Sequence, residues 1–161
     1  MTRDEVYGSR PDLLPPGLVR LTWTRATGAE WVACEGVELL TVEEHLRVER
    51  DTVGRFSRRS DGSVDWSAHP GCVVRSTTAT PDAFARELRT LAGEGGSLVA
   101  SWGGSSTLPS VRVAADRAIE VLPEAVVRSH EVTVWRDDVR GLLEYAYFHD
   151  SVVRARVPSD G

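Results

Sequence analysis

The sequence predicts an α+β domain, mainly antiparallel sheet with two to three helices, and three observations carry that prediction. Segments alternating apolar and polar residues recur along the chain with the period of a half-buried strand. Two strong helix starts, at Thr41 and Thr80, stand between them. Turn residues, chiefly Gly, Pro, Asp and Ser, punctuate most junctions.

Residues 1–16 mix Gly8, Ser9, Pro11, Pro15 and Pro16 with charges and show no apolar period, so they are expected as a flexible N-terminal arm. Residues 17–158 are expected as a single domain. Val19, Leu21 and Trp23 alternate with Arg20, Thr22 and Thr24, which predicts a strand. A turn over Ala26–Ala29 leads to an antiparallel partner at Trp31–Cys34, and Gly36 interrupts the chain before Val37–Leu40.

Thr41-Val42-Glu43-Glu44 fits a capping box that opens a helix from about Val42 to Arg55. Its inner face is expected to hold Val42, Leu46, Val53 and Phe56. Ser60–Ser63 reads as a turn, Trp66–Gly71 as loop and Cys72–Thr77 as a strand. Thr80-Pro81-Asp82 starts a second helix: a Thr cap, Pro at the first position and an acid at the positive end of the dipole. Phe84, Leu88 and Leu91 form its buried stripe, and Gly93 ends it.

Ser97–Trp102 and Val111–Val113 read as strands, separated by a flexible loop at Gly103–Ser106. Asp116–Leu122 reads as a short helix ended by Pro123. His130–Trp135 alternates as a strand. Gly141–Phe148 fits both a helical stripe and a strand, and its aromatic residues, with His149-Asp150 ahead of Val152–Val157, favour a hairpin.

Composition narrows the function. The chain has 161 residues, enough to bury a core without staples, and its apolar (41%) and charged (27%) fractions are those of ordinary globular proteins. Its start carries acids and no apolar run, and no apolar run approaches the ~20 residues of a membrane span. A cytoplasmic protein is expected. All 19 basic residues are arginine, as high-GC codon usage produces, so chemistry that needs a lysine amine is excluded. The net charge of −5 opposes nucleic-acid binding, and Arg55, Arg58 and Arg59 read as a solvated surface. Cys34 and Cys72, 38 positions apart, read as reduced small hydrophobes.

No constellation for catalysis or a cofactor emerges. His69 and Cys72 have the spacing of two zinc ligands, but no second pair completes a site, so an ordinary loop His and buried Cys are expected. Ser101-Trp102-Gly103 lacks the glycine that a nucleophile elbow requires two positions before the serine, where Val99 stands. His149-Asp150 reads as a solvated turn. The sequence predicts a non-enzyme without cofactor or metal.

Five tryptophans are many for this length. Trp23, Trp31 and Trp135 fall on predicted strands and are expected in the core. Trp66 and Trp102 border loops, where an amphipathic ring suits an interface. With Asp61, Asp65 and Glu94, also on predicted loops, they form the predicted binding residues.

The profile is that of a small acidic protein-binding module. Immunity proteins that neutralise bacterial toxins share this general look, since acidity steers them onto basic nucleases, and chaperone-like partners share it too. The alternative is a small-ligand sensor, or an enzyme without a recognisable motif. A deep pocket lined by histidine and carboxylates distinguishes that alternative from a flat, acidic, aromatic-studded face.

Overall fold

A computed structural model describes residues 6–93, 95–103 and 106–159. It contains nine strands in two antiparallel sheets. Strands β1 (Val19–Thr24) and β2 (Gly28–Ala33) form a hairpin of their own, in which Leu21 faces Trp31 and Trp23 faces Ala29. The other seven, β3 (Val37–Leu39), β4 (Val73–Thr77), β5 (Ser97–Ser101), β6 (Val111–Ala114), β7 (Glu131–Arg136), β8 (Gly141–Ala146) and β9 (Ser151–Arg156), make one sheet in the order β3-β6-β5-β7-β8-β9-β4.

Both faces of that sheet are covered, and its central strands therefore carry almost unbroken apolar runs. All six residues of β8, Gly141 to Ala146, are buried. On one face Leu98, Ala100, Val113, Val134, Leu143 and Val152 pack against α2 (Pro81–Ala92), α3 (Ala115–Val121) and the single turn α4 (Ala125–Arg128). On the other, Val99, Trp135, Leu142 and Val153 meet Leu40, Val48, Val53, Phe56, Val64 and Trp66, which belong to α1 (Val42–Asp51) and the long segment after it. Successive strand residues alternate between these two cores, as pleating requires.

The helix starts behave as their chemistry dictates. Thr41 Oγ1 accepts from the Glu44 amide and the Glu44 carboxylate accepts from the Thr41 amide, closing the capping box. Thr80 accepts from the Ala83 amide, with Pro81 next to it. Thr41→Ala is expected to cost about 1 kcal/mol of stability, read as a lower midpoint in urea with unchanged slope. The Gly141–Phe148 region resolves as β8 and a 3-10 turn, with Asp150 in the left-handed region (φ 47°) leading into β9, which makes the hairpin.

Four expectations need correction. First, α1 ends at Asp51, where Thr52 Oγ1 donates back to Val48 O, so a helical phase carried through to Arg55 is wrong. Its buried residues are His45 and Val48; Val42 and Leu46 are exposed, while Val53 and Phe56 bury from beyond the helix. Second, the short helix does end before Pro123, as α3 at Val121, but the path beyond it is not plain loop: Pro123 lies in the first turn of a 3-10 segment, where proline's missing N–H costs nothing, and the chain continues into α4. Third, Trp23 (69% exposed) and Trp31 (39%) are not core: the hairpin forms its own sheet, and no described residue buries that face. Fourth, within the expected N-terminal arm, Leu14 is buried, Val6 bridges to Thr41 and Tyr7 stacks on His45, so residues 6–16 lie along the domain. Residues 1–5, Glu94 and the loop residues Gly104 and Ser105 lie outside the described residues.

Candidate functional site

On the sheet face covered by α1, the cover is incomplete over the ends of β5 and β7. A cleft of about 330 Å³ opens there between α1, the 58–62 loop and the sheet. Its floor is set by strand register. Thr133 on β7 faces Glu144 on β8 directly, and Glu131, two residues before Thr133, shares that face. Trp135 extends the same row, Trp102 follows β5, and His45, Glu49 and Arg58 face them from the other wall.

Glu144 is buried, 3% exposed, in the middle of an apolar strand. Its Oε1 accepts from Trp66 Nε1 at 2.8 Å and its Oε2 from the Val64 amide at 3.2 Å. Burial pushes its carboxyl above the ordinary value, against the pull of those two donors and of Arg59 and Arg58. Glu131 is raised too, first by desolvation and then by the negative charges of Glu144 and Asp61. No residue among those described donates a hydrogen bond to it. Its carboxyl lies directly over Gly103, where a Cβ would occupy the same space.

The remaining acids have partners. Glu49 is held below its ordinary range by the hydrogen bond from His45 and the charge of Arg58. Asp61 is held well below it by the Ser63 hydroxyl and amide and by His149. Burial, and after it the negative charge of Glu49, raises the Tyr7 phenol. Two donors, in contrast, lack acceptors: the indole Nε1 atoms of Trp102 and Trp135, both buried, find no hydrogen-bond partner among the described residues. An orphaned buried N–H costs about 1–3 kcal/mol; the two lie on opposite sides of the sheet, Trp102 in the helix-side core and Trp135 in the other.

Two serine–histidine contacts invite a catalytic reading that their geometry refuses. His45 lies between Ser110 (Nδ1 to Oγ, 2.7 Å) and Glu49 (Nε2 to Oε2, 3.5 Å), the order of a hydrolase triad. Ser110 is fully buried and does not line the cleft, so this contact ties α1 to the start of β6 and leaves no reachable nucleophile. His149 meets both Ser63 and Asp61 through the same Nε2, so it cannot relay a proton between them. His69 Nε2 accepts from the Ser57 amide, Cys72 packs on the second core, and no three His, Cys, Asp or Glu among the described residues converge as metal ligands.

Of the predicted binding residues, Asp61 and Trp102 line the cleft, and Trp66 reaches it through Glu144. Asp65 instead caps the short 3-10 turn of Trp66–Ala68 through Ser67. Trp66 and Trp102 are 8% and 5% exposed, so neither offers the solvent-facing ring expected of it. Glu131, Glu144, His45 and Trp135 escaped the sequence reading as site residues. One signal was available: Glu144 interrupts the run Leu142-Leu143-Glu144-Tyr145, and a lone charge inside a fully apolar strand has to be paired or used. No helix among the described residues is long and apolar enough to cross a membrane. No family model matches the chain, and no curated protein or solved structure is significantly similar to it.

Proposed function

We propose that the domain is a binding protein for a small polar molecule, held in the cleft between α1, the 58–62 loop and the sheet. One observation carries this reading: two partly desolvated carboxylates, Glu131 and Glu144, share one cavity of ligand size with His45, Glu49 and Arg58. Those groups are costly to maintain in a purely structural wall. A larger cavity of about 550 Å³ lies between β2, β3 and residues 6–11, but its lining is mainly apolar and carries only Glu30 and Glu38 as ionisable groups.

The test is a metabolite screen read on the ¹⁵N-indole signals of Trp102 and Trp135, each assigned by its Trp→Phe variant. A ligand is expected to shift both signals in the native protein and to lose most of its affinity in Gly103→Ala. The alanine Cβ displaces the Glu131 carboxyl, a mobile side-chain end, so that variant stays folded within about 1 kcal/mol.

A second reading, binding of a protein partner, is favoured by the exposed apolar row of Leu21, Trp23 and Trp31 on the hairpin. Capture of one stoichiometric protein, lost in Leu21→Ser/Trp23→Ser while both indole signals stay fixed, would transfer the function to that face.

A further inference from the structure

We propose a second site, on the opposite face of the sheet from the cleft and independent of it: a pocket under the C-terminal end of α2 that binds a phosphate group.

Strand register builds this pocket. Gly141 on β8 pairs with Arg156 on β9, and the Trp135–Leu142 pair beside it sets Arg136 of β7 on its other side. Arg154, two residues before Arg156, shares its face. That face is the one α2 covers, since Arg154 reaches Glu87 and Arg136 reaches the Leu91 carbonyl. Gly141 brings no side chain to the row. A Cβ there would lie 2.9 Å from Leu91 Cδ1 and 3.2 Å from Arg136 Cδ. Over it opens a pocket of about 300 Å³ lined by Arg136, Arg154 and Arg156, and by Arg140 from the turn before β8. Among the described residues no acid lines it.

Two of the four arginines are engaged in holding the fold. Arg136, 7% exposed, donates to the carbonyls of Leu91 and Gly95 at 3.2 and 3.1 Å and to Asp138 at 2.9 Å. Arg154 donates to Glu87 at 2.8 Å, a carboxylate that Arg75 and Arg86 also approach at 3.2 and 3.7 Å. The other two add charge that no neighbour balances. The Arg156 guanidinium has no hydrogen-bond or ion-pair partner among the described residues. Arg140 has only the charge of Asp138, which Arg136 already binds. Six arginines thus gather around two carboxylates, in a chain whose net charge is −5.

Like charges held around one pocket repel, and an anion between them removes the repulsion while gaining charge-assisted hydrogen bonds. Guanidinium groups only donate, in a planar fork, so the ligand has to offer several oxygens. A phosphate monoester brings about two negative charges and three acceptor oxygens, against one charge and two oxygens for a carboxylate. The phosphate matches the surplus charge of Arg140 and Arg156, and the open floor at Gly141 leaves room for it.

The experiment titrates the full chain with inorganic phosphate, pyrophosphate, glucose 6-phosphate and AMP, and with citrate and glutamate as carboxylate probes. It is run at about 0.15 M salt, where diffuse attraction is screened, and read by calorimetry and on the Gly141 amide signal. A phosphate probe is expected to bind once per chain and to shift that signal. Arg140→Gln/Arg156→Gln alters two exposed side chains and is expected to weaken binding about 10- to 100-fold, the value of one or two hydrogen bonds between charged groups. Arg20→Gln/Arg25→Gln removes the same charge from the exposed hairpin and is expected to change affinity less than about twofold. Tighter binding of inorganic phosphate identifies a free anion as the ligand, and tighter binding of an organic phosphate identifies a phosphorylated metabolite; both support the site. Carboxylate probes that bind more tightly than every phosphate, equal losses in the two double variants, or a Gly141 signal that no phosphate moves overturn it.

Discussion

Glu144→Ala is expected to lower the unfolding free energy by about 2–4 kcal/mol, because it orphans two buried donors at once. Trp66 Nε1 and the Val64 amide both end on this carboxylate, and each unpaired buried donor costs about 1–3 kcal/mol. Relief from burying the carboxylate offsets part of that loss. The offset gives the effect a pH dependence of definite sign. A carboxyl raised in the folded state binds protons more readily there than in the unfolded chain, so its stabilisation is complete below 4.5 and falls as pH rises through the raised value. The alanine variant lacks this term, and the gap between the two proteins narrows with rising pH across that window. Urea denaturation of both at a series of pH values measures it. A gap that widens with pH contradicts the assignment. Trp66 emission should respond in the same variant, since its indole loses its only hydrogen-bond partner given by the structure.

Phe84→Ala should cost more, about 3–5 kcal/mol, the range for deleting a fully buried phenylalanine. Phe84 projects from α2 into the helix-side core with its ring set against Tyr145 at 6.0 Å and 81°, so truncation removes an aromatic pair and leaves a cavity under the helix. For a chain of this size the melting temperature should fall by roughly 6–20 °C. Phe148, also aromatic and 77% exposed, is the control: Phe148→Ala should stay within about 0.5 kcal/mol. Equal losses at the two positions would mean that the core is not where the structure places it.

What was legible in the sequence was local. Thr41 with Glu44, and Thr80 with Pro81, encode their caps within four residues, and both helices begin where those residues require. The period-two runs placed the strands of the hairpin and of the main sheet, and the fold class followed from them. What failed depended on packing at a distance. Trp23 and Trp31 alternate correctly as strand residues, but alternation says which side a residue faces and not whether another layer covers that side. Pro123 marked the end of α3, but not the 3-10 turn and short helix that follow it, since a proline in a first turn is compatible with a new helical start. The cleft is the extreme case, since its residues come from positions as distant as His45 and Glu144 and only the pairing of β7 with β8 brings Glu131 and Glu144 onto one face. Trp66 and Trp102 were singled out for bordering loops, a feature that marked proximity to the site while misjudging their exposure.

The order of the seven-stranded sheet also bears on how the protein avoids sticking to itself. Its two outermost strands are β3, only three residues long, and β4, whose pairing with β9 shifts register between Val73 and Arg75. A brief edge and an irregular one are both poor templates for a strand from another molecule, and Arg75 sets a charge on the second. The most apolar strand, β8, which is the segment best suited to cross-β pairing if left open, sits in the interior with β7 and β9 in place on either side. The order of strands therefore shields the most apolar strand of the chain, and partial unfolding that strips β4 and β9 from the sheet is the event that would expose its edge.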